Sequence, residues 1–250
     1  MSLALKLNDE IQRMSQYPHS FLSTLDQTSL QSLLFFEAKS FFCRSFYRVN
    51  HKKLELYRYA NIGSGVRELH SDFVNIDFFY SKLALKEFFG IEEKHKNGFV
   101  QADLRFSLPF PKNRFEGIFS EHALEHLYPN EAFNLLCEIH RVLAPGGVFR
   151  ITLPDFQKSA SDYINNSLNS DPWSVDFRSK GEQINKVMKW GHKALYDAEF
   201  LIYLLKVIGF VDVRETTFRE GLNPDLLIDK EIRKPCTFYV EAVKASSTHG

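Results

Sequence analysis

Near the N-terminus, apolar residues recur every three or four positions, which is the spacing of a helix, and Pro18 predicts a break between two helices. We therefore predict an N-terminal helical segment over residues 1–55. Its apolar stripe fits packing against the rest of the chain, cover for a cofactor, or a homodimer interface. The stripe includes Leu30, Leu33, Leu34, Phe41 and Phe42.

From about residue 57 the rhythm changes, and short β-prone runs alternate with helical ones. This alternation is typical of a mostly parallel sheet covered on both faces, which binds ligands beyond the carboxyl ends of its strands. The predicted strands are Leu56–Ile62, Phe73–Ile76, Phe99–Ala102, Gly117–Ser120, Val148–Leu153, Val211–Phe218 and Thr237–Val243. The predicted helices are Ser81–Phe89, Asn130–Leu143 and Asp197–Ile208.

One segment, residues 156–194, breaks the alternation with a polar and aromatic sequence that has no clear period. A long insert beyond a strand end often closes over a binding site, so we predict a lid; a surface excursion is the alternative. Tyr163 within this insert and Tyr196 just after it are candidates for orienting a substrate.

Charge and cysteine content narrow the classes of partner. The 250 residues include 31 basic and 31 acidic side chains, and the densest basic cluster is only His51-Lys52-Lys53, which argues against a nucleic-acid or anionic-membrane partner. Three widely separated cysteines favour neither a disulfide framework nor an iron–sulfur centre. No apolar run approaches the ~20 residues of a membrane span. We expect a cytoplasmic protein.

Three predicted strand ends carry residues suited to a nucleoside ligand. Asn61-Ile62-Gly63-Ser64-Gly65 ends the first strand, and two glycines one residue apart allow close approach of the backbone to a ligand. Alone this turn is common in loops. Asp77 ends the next strand, twelve residues after Gly65, where a carboxylate accepts hydrogen bonds from both ribose hydroxyls. Asp103 follows the third strand and is succeeded by Leu104.

Further motifs follow in a fixed order: Asp103-Leu104, Leu108-Pro109-Phe110, Glu125-His126-Leu127 and Arg141-Val142-Leu143-Ala144-Pro145-Gly146-Gly147. Together with the glycine turn they resemble the class I S-adenosylmethionine-dependent methyltransferases, and within them a small group often linked to the biosynthesis of cell-surface saccharides. The resemblance covers about residues 57–155 and extends more loosely to the last strand. It implies an α/β, Rossmann-like fold over residues 56–250, with a seven-stranded sheet whose last strand is antiparallel.

The resemblance also implies the cofactor S-adenosylmethionine, converted to S-adenosylhomocysteine, and its contacts. The glycine turn would pass beneath the methionine moiety, the second strand end would hold the ribose, the third would meet the adenine, and the fourth would flank the methionine. The residues implied are Asn61, Gly63, Ser64, Gly65, Asp77, Phe78, Asp103, Leu104, Ser120 and Glu121.

Two residues depart from the family pattern. Asn61 stands where an acidic residue is usual, and Arg67 where a third glycine is common. An amide still bonds the cofactor's ammonium group, and we expect binding to be weaker by about 1 kcal/mol. The same departures motivate an alternative hypothesis, a catalytically silent module that binds a cofactor or a partner.

Methyl transfer to a neutral hydroxyl benefits from a general base. The candidates, which lie where strand ends meet the predicted lid, are His122, His126, Asp155 and His192. Neutral charge and the long insert favour a small-molecule acceptor. By analogy with the family, we expect O-methylation of a sugar, a sugar phosphate or a related polysaccharide precursor, while natural-product, quinone-like and amine acceptors remain open.

His122-Ala123-Leu124-Glu125-His126 also matches H-x-x-E-H, the motif of a class of zinc peptidases, in which two histidines share one face of a helix. This alternative predicts a metallohydrolase. The β-prone run before the motif and Pro129 just after it disfavour a helix here, so we expect no metal. A third possibility is that His126 only caps a short helix and orders the loop.

Overall fold

Seven strands form one sheet in the computed structural model, which describes residues 30–65, 69, 72–78, 98–165, 179–181, 184–185 and 191–246. The predicted helix Ser81–Phe89 and about half of the predicted lid lie outside these residues. The strands are β1 Tyr59–Ile62, β2 Phe73–Asp77, β3 Phe99–Gln101, β4 Phe115–Glu121, β5 Leu143–Pro154, β6 Phe210–Thr216 and β7 Thr237–Lys244.

The strand order is β3-β2-β1-β4-β5-β7-β6. Strands β1 to β5 pair in parallel, whereas β7 lies antiparallel between β5 and β6. The predicted sheet with an antiparallel last strand is therefore confirmed. The order reverses at β1 and β4, so a ligand is expected beyond the carboxyl ends of these two strands.

Five helices accompany the sheet in the described parts of the chain: α1 Leu30–Phe46, α2 His51–Leu54, α3 Pro129–Val142, α4 Phe156–Asn165 and α5 Ala198–Ile208. Helix α5 begins where the Asp197 carboxylate accepts a bond from Phe200 N at 2.8 Å, and it ends at Gly209, whose φ is 110°. These are the usual N-terminal and C-terminal signals of a helix. No described helix is long and apolar enough to cross a membrane.

The main core lies on the sheet face that α3 and α5 cover. Alternate strand residues, such as Ala60 and Ile62 of β1, point into it, as the period of two requires. The opposite face carries a smaller core that includes Tyr59, Phe119 and Leu226. Short 3₁₀ turns at Leu124–His126, Pro224–Leu226 and Glu231–Cys236 complete the chain.

The motif Arg141–Gly147 has a structural role. Glu138 and Arg141 at the end of α3 hold the turn Leu108–Phe110: the Arg141 guanidinium donates to the carbonyl oxygens of Leu108 and Phe110, and Glu138 accepts from Leu108 N at 2.8 Å. A Cβ on Gly147 would lie 2.8 Å from the Ala144 carbonyl oxygen. These contacts explain why the two motifs occur together.

Helix α1 turns a different side inward from the one that its apolar stripe predicts. Its buried residues are Phe36, Ser40 and Cys43. The described members of the predicted stripe are exposed by 46–61%: Leu33, Leu34, Phe41 and Phe42. On the inward side, Ser40 donates a hydrogen bond to Asp103. The spacing of hydrophobic residues gives no information about such polar contacts.

Candidate active site

The glycine turn after β1 has the conformation that its residues require. Gly63 and Gly65 have φ values of +68° and +56°, a region that favours glycine. The amides of Gly63 and Ser64 donate to the Ile76 carbonyl oxygen at 2.9 and 3.3 Å. A Cβ on Gly63 would lie 2.2 Å from Cβ of Ala123, whereas a Cβ on Gly65 would have no neighbour within 4 Å among the described residues. The turn is therefore packed on the loop after β4 and, within the described part of the chain, open at Gly65.

Asp77 at the end of β2 is fixed beside this turn. Its Oδ2 accepts a hydrogen bond from Gly65 N and its Oδ1 one from Phe78 N, both at 2.6 Å. Burial raises the pKa of Asp77, and the two bonds act against that shift. Each carboxylate oxygen keeps a second lone pair, which suits the two hydroxyls of a ribose. The open backbone at Gly65 and this acceptor pair fit an adenosine-containing cofactor.

Asp103, predicted to contact adenine, is engaged by protein groups. Its carboxylate accepts from Ser40 Oγ of α1 at 2.5 Å and from the Arg105 guanidinium, which also pairs with Glu37 at 2.7 Å. Burial raises the pKa of Asp103, but the bonds from Arg105 and Ser40 outweigh it and the net pKa is lowered. Adenine recognition by this carboxylate would require sharing these donors, so the predicted contact stays a prediction.

The other predicted cofactor residues also have protein partners. The Asn61 amide donates to Asn75 Oδ1 at 3.0 Å within the sheet, Ser120 Oγ donates to the Ile62 carbonyl oxygen at 3.1 Å, and Glu121 accepts from Lys230 N at 2.9 Å. Leu104 lies beside the glycine turn, with its Cδ1 3.9 Å from the position of a Cβ on Gly63. These residues shape the edge of the sheet where β1 and β4 end.

A buried cluster of titratable side chains, which we call the Glu125 cluster, follows β4. It consists of His122, Glu125, His126 and His192, and Glu125 Oε1 lies 3.7 Å from His122 Nδ1, 4.0 Å from His126 Nε2 and 3.9 Å from His192 Nε2. The amides of Lys193 and Ala194 donate to the Glu125 carbonyl oxygen at 2.7 and 3.3 Å, which brings His192 to the cluster.

Burial dominates the pKa values of the cluster. It raises the pKa of Glu125 to about 8 and lowers those of His126 to about 4 and His192 to about 3. The pKa of His122 is also well below its usual range, through burial and then the positive charge of Arg233. Near neutral pH the imidazoles are therefore neutral, and much of Glu125 is protonated.

Several atoms of the cluster are buried with no hydrogen-bond partner among the described residues: both carboxylate oxygens of Glu125 and Nδ1 of His126 and His192. Each buried polar atom without a partner destabilises the fold by about 1–3 kcal/mol. A loss of stability of this size within one cluster is typical of a functional site. His122 differs, because its Nε2 is paired with Thr237 Oγ1 at 2.8 Å.

The remaining candidates lie around the cluster or apart from it. Asp155 accepts from Lys158 N at 2.8 Å and so caps α4, a contact that accounts for the residue without a role as base. Tyr196 is buried, and burial followed by the charge of Glu125 raises its pKa to about 12. Tyr163 is 41% exposed on α4. The structure thus unites three of the four predicted bases.

The geometry differs from that of the zinc-peptidase motif. His122 has a φ of 53° and precedes the 3₁₀ turn Leu124–His126, so His122 and His126 do not share one face of a helix. Sequence reasoning did not anticipate Thr237 as the partner of His122, nor the charge of Arg233 beside the cluster. Nothing local in the sequence marks these residues, because they come from the far end of the chain.

Comparisons with known proteins match one segment of the chain to a family model and find solved structures that resemble it. Residues 61–151 match a family model described as a methyltransferase domain. No curated protein matches the chain. A solved S-adenosylmethionine-dependent methyltransferase from Archaeoglobus fulgidus is 18% identical, with 84% of this chain and 94% of that chain covered and a TM-score of 0.47. A phosphoethanolamine N-methyltransferase of Haemonchus contortus, solved with S-adenosyl-L-methionine, is 16% identical, with coverages of 84% and 57% and a TM-score of 0.46.

The matched segment contains the glycine turn, Asp77, Asp103, the Glu125 cluster up to His126, and the Arg141–Gly147 motif. Its boundaries run from the end of β1 to the middle of β5, which is the half of the sheet where a cofactor is expected. Over residues 61–151 the chain is therefore similar to a methyltransferase domain.

Proposed function

We propose that this protein methylates a hydroxyl group of a small molecule bound against the Glu125 cluster, and that the acceptor is a sugar or sugar phosphate. The observation that carries the proposal is the position of the cluster. The loop after β4 that bears it packs directly on the cofactor turn, with Ala123 against Gly63. An acceptor at the cluster would therefore lie beside the cofactor.

S-adenosylmethionine supplies a methyl group on a sulfonium, which needs no further activation. The protein has two tasks, to align the acceptor and to take its proton. Gly63, Gly65 and Asp77 hold the cofactor in this proposal. Ser120 and Leu104 shape the wall beside it.

His122 is the residue that we assign as base. In this proposal the neutral imidazole carries its proton on Nε2, which lies 2.8 Å from Thr237 Oγ1, so the Nδ1 lone pair faces Glu125 Oε1 at 3.7 Å. His122 Nδ1 would take the proton of the acceptor hydroxyl as its oxygen takes the methyl group, and the bond from the methyl carbon to the cofactor sulfur would break to leave S-adenosylhomocysteine. Thr237 holds the imidazole in place without selecting its tautomer, because a hydroxyl both donates and accepts.

The experiment measures methyl transfer from labelled S-adenosylmethionine to a panel of sugars, sugar phosphates and nucleotide sugars, together with cofactor binding by calorimetry. We expect His122→Gln to lower kcat by about 100-fold or more while the affinity for S-adenosylhomocysteine is unchanged. His140→Gln, on α3 outside the cluster, is the matched control. Equal activity of the His122 variant and the control would refute the assignment.

A catalytically silent module remains the second candidate, favoured by the engagement of Asn61 and Asp103 in protein bonds. It predicts cofactor binding without transfer to any acceptor in the panel. Absence of both binding and transfer in folded protein would contradict both candidates.

A further inference from the structure

We propose that Glu125, His126 and His192 form a binding site for one divalent transition-metal ion, with Zn²⁺ as the best match. One potential ligand atom from each residue lies within 4.8 Å of those from the other two. The gaps of 4.0 and 3.9 Å between Glu125 Oε1 and the histidine Nε2 atoms are too long for hydrogen bonds. Zinc ligands at about 2.0–2.2 Å from the ion stand about 3.4 Å apart in a tetrahedron, so a small inward movement completes the site.

The unpartnered atoms of the cluster point the same way. Glu125 is only 2% exposed, and both of its carboxylate oxygens are buried without a hydrogen-bond partner in the described parts of the chain. Buried polar atoms are nearly always bonded in native proteins. A metal ion is a single ligand that takes lone pairs from a carboxylate and from imidazoles together. His122 is not part of this set, because the three potential ligand atoms that lie within 4.8 Å of one another belong to Glu125, His126 and His192.

The types of ligand select the kind of ion. Two histidines and one glutamate are a ligand set of catalytic zinc, in which the remaining position is open to water or substrate. Because two of the three ligands are imidazoles, ions such as Mg²⁺ and Ca²⁺, which prefer oxygen ligands, are disfavoured. The positive charge of Arg233 acts on all three residues and weakens the binding of any cation.

The open position of the ion would take the acceptor hydroxyl, and that part of the inference rests on the proposed function. The binding of the ion itself does not depend on the proposed function. The site also differs from the zinc-peptidase pattern, because His192 comes from a distant segment and replaces His122 as a ligand.

The test uses the full chain after treatment with a chelator. Zn²⁺ is titrated in competition with a chromogenic chelator, the bound metal is counted by mass spectrometry, and Co²⁺ is used as a spectroscopic probe. We expect one ion per chain and a Co²⁺ spectrum without a thiolate charge-transfer band. Glu125→Gln and His192→Gln should each weaken Zn²⁺ binding by more than about tenfold, while His140→Gln leaves it unchanged. Arg233→Gln should tighten it.

Circular dichroism checks that each variant is folded. If Glu125→Gln does not fold, His192→Gln alone tests the metal site. Absence of Zn²⁺ binding, binding that persists unchanged in His192→Gln, or a thiolate band would each overturn the metal site. A bound ion without methyl transfer to any acceptor would support the site and count against the proposed function. Full methyl transfer by protein without metal would overturn the role of the ion in acceptor binding.

Discussion

At the scale of single residues, Asp77 is the residue that we propose as the main anchor for the cofactor. Both of its oxygens are oriented by backbone amides of the turn that follows β1 and of Phe78, so the carboxylate is preorganised before a ligand arrives. Asn61 and Asp103, in contrast, form hydrogen bonds with other residues of the protein. The affinity for cofactor should therefore depend on Asp77 more than on either of these.

We expect Asp77→Asn to weaken S-adenosylhomocysteine binding at least about tenfold, or roughly 1.4 kcal/mol, because an amide offers a single acceptor oxygen in place of two. Isothermal titration calorimetry measures the change. Asp212→Asn, an exposed substitution on β6, is the control and should bind normally. Unaltered affinity in the Asp77 variant would place the ribose elsewhere.

At the scale of elements, small groups of hydrogen bonds fix how the helices pack on the sheet. Glu138 and Arg141 on α3 hold the turn Leu108–Phe110, and Lys244 at the end of β7 donates to the carbonyl oxygens of His140 and Leu143. Ser40 and Asp103 join α1 to the end of β3. These bonds are specific to backbone positions and so define the docking of each helix.

The pair Glu138–Arg141 on α3 makes the free energy of unfolding depend on pH. The bond from Arg141 lowers the pKa of Glu138, although burial opposes the shift. The ionised form is thus favoured by folding. Its contribution is complete above the unfolded pKa of about 4.3 and is lost as the pH falls through the lower folded value.

Glu138→Gln should lower the free energy of unfolding at pH 7 by about 1 kcal/mol, a modest value because Arg141 is partly exposed. The difference from wild type should shrink below pH ~4.3. Urea denaturation at several pH values tests this, with Glu116→Gln of the exposed Arg58–Glu116 pair as control. A difference that does not change with pH would show that ionisation of Glu138 is not its cause.

At the scale of the whole molecule, a buried charge network holds the chain after β6 against the sheet. Arg150 on β5 is fully buried and pairs with Asp229 at 2.6 Å and with Glu241 of β7 at 3.1 Å. It also donates to the carbonyl oxygens of Thr217 and Glu220. A Cβ on Gly221 would lie 1.9 Å from Glu241 Oε1, so a larger residue there would displace this carboxylate from its pairing with Arg150.

Loss of Arg150 would leave two carboxylates buried without their cation. We expect Arg150→Met to destabilise the fold by about 3–5 kcal/mol. Chemical denaturation measures the loss, Arg214→Met on β6 is the exposed control, and Asp229→Asn provides a milder variant if the first does not fold. A loss below about 1 kcal/mol would mean that the network contributes little beyond its own desolvation cost.

The sequence by itself determined the class of the sheet, its strands and most helices, because hydrophobic period and turn residues act over a few positions. Helices α3 and α5 lie within one residue of their predicted bounds at each end. The glycine turn and Asp77 were also predictable, since a strand end fixes both their conformation and their place at one edge of the sheet.

Only the tertiary structure decided which side of α1 faces inward, which groups donate hydrogen bonds to Asp103, and which residues lie around Glu125. His192 reaches the cluster through backbone bonds to Glu125, and Thr237 reaches His122 because β7 pairs antiparallel with β5, with Thr237 opposite Pro154. Such contacts depend on the register between distant segments. Local propensity carries no information about that register, so the composition of the Glu125 cluster emerged only with the fold.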